Sequence, residues 1–562
     1  MTDSVTPRHP MDVPLKAALG RLTHGLSPAA LALAFQDWWW HACASPGKLT
    51  QLSASASRML LHAAVLAQQP LLQSPPAGPS PDKRFAHPAW RQEPFATIAR
   101  NFLMTQQWWA EATTGVPGVS THHEQVVSFM ARQLLDMLSP SNFVPSNPEV
   151  LAQTARSLGD NLRSGLLTWW QEAGLVLTEQ PPPGAERFRP GEAVALTPGK
   201  VVFRNGLIEL IQYAPATANV HPEPLLVVPS WIMKYYILDL SPHNSMVRYL
   251  VEQGHTVFMI SWRNPGAQDR DLGMDDYLEQ GVMAALDAVQ RAQPGRPVHL
   301  VGYCLGGTLA AIAAASLGAH GRRSPLKSFS LLAGQTDFEE PGELGLFIDE
   351  SQIAFLEQVM EEQGYLDGRQ MAGAFALINS KDLVWSKLVH VYLMGNTTPL
   401  DDLHAWNADA TRLPARMHSE YLRRLYLHND LAEGRYAVRG RPVALADIRV
   451  PLFVVGTERD HVSPWRSVYK IHLLTHTDTS FVLSTGGHNV GIVNPPAAPG
   501  AAPLGGHRIA LRRAGDAYVS PDVWFDQAEN RPGSWWPSWH AWLAGHSGAR
   551  RKPLPVGGSG AG

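Results

Sequence analysis

One uncharged stretch, Val298 to Ala319 (VHLVGYCLGGTLAAIAAASLGA), constrains the fold more than any other, because over its whole length it carries no Asp, Glu, Lys or Arg. Its length alone would suit a membrane span. Its interior points to a soluble core instead: a His at the second position and a Gly-Tyr-Cys-Leu-Gly-Gly break divide it into a short β-like run and an Ala-rich helix. A largely apolar strand feeding an Ala-rich helix implies a sheet covered on both faces. The surrounding texture agrees. Apolar or β-branched runs recur at LLVV from 225, TVFMISW from 256, VHLVG from 298, FSLLAG from 329, PLFVVG from 451 and SFVLST from 480. Helical patterns such as Asn244 to Gln253 and Asp275 to Gln293 lie between them. This alternation predicts an α/β class with a mostly parallel sheet.

Breaks in the pattern divide the chain. Pro70 to Asp82 (PLLQSPPAGPSPD) reads as a linker after a first helical region, about Leu15 to Gln69. From Phe85 to Glu172 apolar residues recur at helical spacing, and Pro181-Pro182-Pro183-Gly184 ends that region. Gln335 to about Asp447 is long and mostly helical, which between two sheet strands reads as an inserted cap or lid. The resulting scheme is a leader and linker over 1–84 and a helical N-terminal domain over 85–185. A catalytic domain over 186–545 follows, with its lid at about 335–447, and then a disordered tail over 546–562.

Composition excludes several classes. The 562 residues are 45% hydrophobic and 17% charged, enough apolar material for a large core and too little charge to keep the chain unfolded. Lys and Arg number 46 against 49 Asp and Glu, so no global positive field favours a nucleic-acid partner. The two cysteines, Cys43 and Cys304, are too few and too far apart for a disulfide framework, a zinc ribbon or a CxxC pair, and imply a reducing compartment. Met1 to Pro10 is polar and does not read as a secretory signal, so cytoplasmic residence with no transmembrane segment is the default.

Gly302-Tyr303-Cys304-Leu305-Gly306 follows a strand run and opens a helix, the context of a nucleophile elbow with Cys in the Ser position. The strained turn needs small residues two before and two after the nucleophile, and Gly302 and Gly306 supply them. At a helix N-terminus, backbone dipoles favour an anionic sulfur, and the N–H of Leu305 can point at an oxyanion. The bland alternative is an inert buried thiol. The hydrolase-like chain order is nucleophile, acid, histidine. Asp460 lies in a loop after PLFVVG, and His488 lies in the corresponding loop after SFVLST, 28 residues later (488 minus 460). Both fall on the sheet edge where open α/β folds bind ligands. A thiolate exchanges readily with thioesters because attacking and leaving sulfurs have similar basicity, so acyl transfer from a thioester is favoured over peptide hydrolysis.

Rival residues are present. Asp337 also follows a strand; Asp460 is preferred because its strand is the last before the histidine strand. His461 adjoins Asp460, but neighbours in such a loop point apart, which favours His488. His472 and His476 are spaced i, i+4 in a plausible helix, without the Glu of HExxH or a third ligand for zinc. His122-His123 reads as a polar loop. The Trp-rich clusters at 38–40, 108–109, 169–170 and 535–542 read as core or interface anchors, with a lipid or polymer surface as the alternative.

Long ungapped strings then match a known family. RQLLDMLSPSNF, NPEVL, KYYILDL, VEQGHTVFMISWRNP, GYCLGG, DFEEPGEL, WNADATRLPARMHSEYLRRLYLHNDL, GTERDHVSPW, GGHNVGIVNPP and PGSWWPSWHAW occur in order between about Ala86 and Trp542. The chain resembles the polyhydroxyalkanoate synthases, cytoplasmic enzymes that polymerise (R)-3-hydroxyacyl-CoA into storage polyester. The resemblance implies an α/β-hydrolase fold with a helical lid. It gives Cys304 as the acylated nucleophile, His488 as its base, and Asp460 as the residue that orients or helps activate the incoming 3-hydroxyl. It places the oxyanion donors at the backbone N–H of Leu305 and of Ile232. The leader MDVPLKAALGRLTHGLSPAALALAFQDWWW is similar to that of the single-subunit type, which favours short monomers. The family implies no cofactor, a homodimer, and association with polyester granules. Met233 stands where the family has Asn before KYY, and the stretch between Pro496 and Trp535 is an addition without a role. The same triad would also suit a thioesterase or an intracellular polyester depolymerase, and a silent active site would leave a granule-bound scaffold.

Overall fold

The computed structural model describes residues 15, 18–20, 23, 25–68, 82–178, 180–319, 324–368, 370–371, 380, 384–397 and 399–557. The polar stretch Met1 to Pro10, most of the Pro-rich linker and the last five residues lie outside them. The chain forms two compact units, one of Leu26–Pro182 with Gly373–Pro399, the other of Met1–Gly25, Pro183–Ala372 and Leu400–Gly562. Among the described residues no helix is long and apolar enough to cross a membrane.

The first unit is helical. Its main helices are α1 (Pro28–Cys43), α2 (Pro46–Gln68), α3 (Phe95–Thr113), α4 (Thr121–Met137), α5 (Pro148–Arg156) and α6 (Asp160–Leu177). Local chemistry sets their starts: the Ser120 side chain accepts from His123 N ahead of α4, and Asn147 caps α5 with Pro148 in its first turn. His122 and His123, expected in a polar loop, therefore lie in the first turn of α4, and His123 Nδ1 sits 2.7 Å from Asp37 Oδ2. Trp38 is buried and its indole donates to the Ala112 carbonyl at 3.1 Å. An apolar groove of about 430 Å³ lined by Phe35, Trp38, Trp109, Val126, Leu134 and Leu138 opens beside it. Trp40 and Trp170 are 70% and 72% exposed.

The second unit is built on a ten-stranded sheet of β1 (Gly199–Arg204), β2 (Ile208–Tyr213), β3 (Leu225–Val228), β4 (Val257–Trp262), β5 (Val298–Tyr303), β6 (Leu326–Leu332), β7 (Leu452–Thr457), β8 (Thr479–Ser484), β9 (Gly506–Arg512) and β10 (Glu529–Pro532). The order is β1-β2-β4-β3-β5-β6-β7-β8-β9-β10. The six central strands are parallel, and the two strands at each edge run antiparallel to their neighbours. Helix α7 (Leu305–Ala319) directly follows β5, and its residues from Gly306 to Ala315 are all buried, as the uncharged composition requires. The stretch between Pro496 and Trp535 supplies β9, β10 and the helix α8 (Pro521–Gln527), extending the sheet by an antiparallel pair.

The described residues between β6 and β7 form a mostly helical insertion. Within the second unit its segment around Trp406 to Thr411 is stitched to the loop after β3. The Thr411 Oγ1 donates to Trp231 O at 2.6 Å, Thr411 N to Ile232 O at 3.2 Å, Trp406 Nε1 to Lys234 O at 2.8 Å, and Tyr236 OH to Asp409 Oδ2 at 2.9 Å. Met233 forms a backbone bridge with Ala410 in this seam.

The expected disordered tail is corrected over 546–557. Val220 and Arg551 exchange backbone hydrogen bonds of 2.7 and 2.8 Å, and Gly557 N donates to Gln212 Oε1 at 2.7 Å. The physical reason lies inside the unit. His299 is fully buried in β5 and needs partners for both ring nitrogens; Ser328 Oγ lies 2.7 Å from Nδ1, and Ser547 Oγ of the tail lies 3.0 Å from Nε2.

Candidate active site

The glycine frame around Cys304 is forced by close backbone approach. A methyl at Gly306 would lie 2.2 Å from Val228 O and 2.4 Å from Pro229 O, and one at Gly302 would lie 2.4 Å from Gly307 Cα. The elbow leaves Cys304 itself at φ +53, the left-handed region a non-glycine residue occupies only under constraint. Cys304 is buried, and Leu305 opens α7, so its N–H has no carbonyl one turn back.

Asp460 and His488 come from the loops after β7 and β8, and the structure brings them together at Cys304. His488 Nδ1 donates to Asp460 Oδ2 at 2.7 Å, and the Cys304 side chain lies near enough to the imidazole to raise its pKa. Asp460 is saturated: Thr457 Oγ1 donates to Oδ2 at 2.8 Å, and the N–H groups of Val462 and Ser463 donate to Oδ1 at 2.9 and 2.7 Å. Burial alone would raise the Asp460 carboxyl, but the positive His488 and the three further donors hold it below the ordinary carboxylate value. Burial alone would lower His488, yet the Asp460 carboxylate and the Cys304 sulfur lift the imidazole well above its ordinary value. The arrangement can hold a thiolate beside an imidazolium, the pairing a cysteine acyl-transfer site needs.

The rival residues stay apart from this cluster. Asp337 accepts from Asn429 Nδ2 and Glu339 N and faces Lys470 at 3.8 Å. His461 is exposed. The helix expected to carry both His472 and His476 ends at Leu474, leaving His472 buried against Tyr469 and His476 exposed, so the i, i+4 pairing does not form. Thr475 accounts for the stop: it turns to extended backbone and its hydroxyl bonds the Ile471 carbonyl. Among the described residues no His/Cys/Asp/Glu group could hold a metal ion. Ile232 sits in the loop after β3, its carbonyl engaged by Thr411 and its side chain against the core.

Sequence reasoning did not single out several residues that shape the site. Tyr303 OH donates to Asn489 Oδ1 at 2.6 Å, joining the residue before the nucleophile to the residue after the histidine. Trp535 and Trp536 donate their indole N–H groups to Gly491 O and Ile492 O at 3.0 and 2.9 Å, tying down the histidine loop. The tryptophan cluster was visible as an anchor, without any sign of what it anchors. Tyr421, buried, and Tyr426, half-buried, of the insertion meet edge to face with ring centroids 5.3 Å apart; desolvation raises both phenols, helped at Tyr421 by Tyr426 and then the Cys304 sulfur, and at Tyr426 by the Cys304 sulfur.

Comparison with known proteins adds to this geometry. The family described as "Poly-beta-hydroxybutyrate polymerase (PhaC) N-terminus" matches residues 81–250, "Poly-beta-hydroxybutyrate polymerase N terminal" matches 6–48, and "alpha/beta hydrolase fold" matches 223–495. A poly(3-hydroxyalkanoate) polymerase from Methylorubrum extorquens is 41% identical over 88% of this chain and 80% of its own length. The poly(3-hydroxyalkanoate) polymerase subunit PhaC of Cupriavidus necator is 38% identical over 84% of this chain and 80% of its own. Among solved structures, the monoacylglycerol lipase of Paleococcus ferrophilus aligns with a TM-score of 0.32 at 10% identity, covering 60% of this chain and 99% of the lipase.

Proposed function

The chain belongs to the poly(3-hydroxyalkanoate) polymerase family and is an acyltransferase of polyester synthesis, and on that premise we propose that it polymerises (R)-3-hydroxyacyl-CoA through a covalent thioester on Cys304. The Cys304 thiolate attacks the thioester carbonyl of the substrate. The oxyanion is met by the N–H of Leu305 and that of Ile232, the carbon–sulfur bond to CoA breaks, and the CoA thiolate takes the proton from His488. The neutral imidazole then accepts the proton of an incoming 3-hydroxyl as its oxygen attacks the acyl thioester. An ester forms, the bond to Cys304 breaks, and the sulfur returns to its imidazolium partner.

The observation that carries this reading is the 2.7 Å His488–Asp460 bond meeting Cys304 at a strained elbow. With four donors already on its carboxylate, Asp460 is better suited to fixing and charging His488 than to touching the hydroxyl directly. The leader's resemblance to the single-subunit type supports short-chain monomers. Exposed Trp40 and Trp170 support contact of the helical unit with an apolar polyester surface, and the family resemblance supports a cytoplasmic homodimer at granules.

The test is purified protein with (R)-3-hydroxybutyryl-CoA, following CoA release with a thiol reagent and the acyl product by mass. Polymer with stoichiometric CoA is expected, together with complete loss of turnover in a folded Cys304→Ala variant. Release of free 3-hydroxybutyrate alone would make the protein a thioesterase, and polymer from Cys304→Ala would overturn the covalent mechanism.

A further inference from the structure

The side chains that flank the nucleophile and the base are themselves bonded to one another. Tyr303, the last residue of β5, precedes Cys304; Asn489 follows His488 in the loop after β8. Strands β5 and β8 are not neighbours, since β6 and β7 lie between them, so no ladder hydrogen bond sets the distance between Cys304 and His488. The Tyr303 OH crosses that gap to Asn489 Oδ1 at 2.6 Å, and its ring lies 5.8 Å from the His488 imidazole at a tilt of 31°. Tyr303 is 2% exposed, and burial with the Cys304 and Asp460 charges beside it drives its phenol well above the ordinary value. It therefore remains a neutral donor throughout the working range. Asn489 in turn closes the histidine loop, its carbonyl accepting from Val493 N at 2.8 Å.

We propose that Tyr303 and Asn489 are positioning residues: their hydrogen bond sets the sulfur-to-imidazole distance and thereby the thiolate–imidazolium pair. This rests on the assignment of Cys304 and His488 above. Acting through the pair, the bond affects the acyl-transfer steps and leaves substrate binding alone.

The experiment compares Tyr303→Phe, Asn489→Leu and the double variant, reading kcat and KM with (R)-3-hydroxybutyryl-CoA and, separately, the pH dependence of Cys304 alkylation by iodoacetamide. Each single variant is expected to lose about three- to tenfold in kcat at unchanged KM, the size of one hydrogen bond. Each should also move the alkylation profile to higher pH. The double variant is expected to lose no more than either single one, because both remove the same bond. Unchanged alkylation profiles, or losses that multiply in the double variant, would overturn the proposal. Alkylation is read without turnover, so these outcomes are distinct from failure of the covalent mechanism, which would show instead as turnover surviving in Cys304→Ala. Near-ultraviolet circular dichroism and Tm of each variant separate a lost bond from a lost fold.

Discussion

A single carboxylate decides whether His488 can act. Asp460 has four donors and no solvent contact, so its charge is held in place by Thr457, Val462, Ser463 and the imidazole itself. Asp460→Asn keeps the volume but offers no charge and can impose the wrong imidazole tautomer, so a loss in kcat of about 10²–10⁴ is expected, with Cys304 alkylation slowed in parallel. The pH behaviour follows from the two directions. His488, raised, contributes stability below its unfolded value that is lost as pH rises through its folded one. Asp460, lowered, contributes above its unfolded value and loses it as pH falls through its folded one. The pair is thus intact across neutral pH. At this scale Cys304, Asp460 and His488 were legible because each sits one to four residues past the end of an apolar strand. Tyr303 and Asn489 were not, since a hydrogen bond between side chains 186 residues apart leaves no periodic trace in the sequence.

Elements carry the next constraint, because the histidine loop is only as rigid as what holds it. Trp535 and Trp536 stand at the start of the helix Trp536–Gly545, both buried, with their indole N–H groups on consecutive-loop carbonyls. Trp535→Phe keeps most of the apolar contact and removes the donor to Gly491 O. A stability loss of about 1–3 kcal/mol is expected for the carbonyl left buried, seen in Tm, with kcat falling more than KM rises. The six central strands could be read directly, as both faces are covered and their sequences are continuous apolar runs. The outer strands could not. In GKVVFR of β1 and ENRP of β10 most residues face solvent, and such edges lack the apolar run that marks a strand. The helix assumed for His472 and His476 failed for a local reason, the turn at Thr475.

The molecule as a whole keeps a group of histidines neutral. Burial first, then the neighbouring His221 and His540, lower His255 to about 2; burial, then His546, lowers His299 to about 3. The unfolded chain binds protons at these sites from about pH 6.5 downward while the folded one does not, so stability rises with pH over that window and is lost on acidification. Each histidine contributes at most about 1.4 kcal/mol per pH unit. Urea unfolding between pH 7 and 4.5 should show this slope, and His255→Gln should make it shallower. The helical and α/β regions were both visible from texture, but the docking of 546–557 beside Val220 was not, because its Gly/Arg/Pro composition carries no sign of the histidines it serves. The insertion between β6 and β7 also has a kinetic consequence. Phe329 pairs with Leu452, so the middle of the sheet cannot close until the whole insertion has been traversed. Until then β6, buried over nearly all its length in the finished protein, offers a bare apolar edge to any other chain nearby. Refolding is therefore expected to be slow and its yield to fall steeply with protein concentration, a vulnerability that ends once β7 arrives.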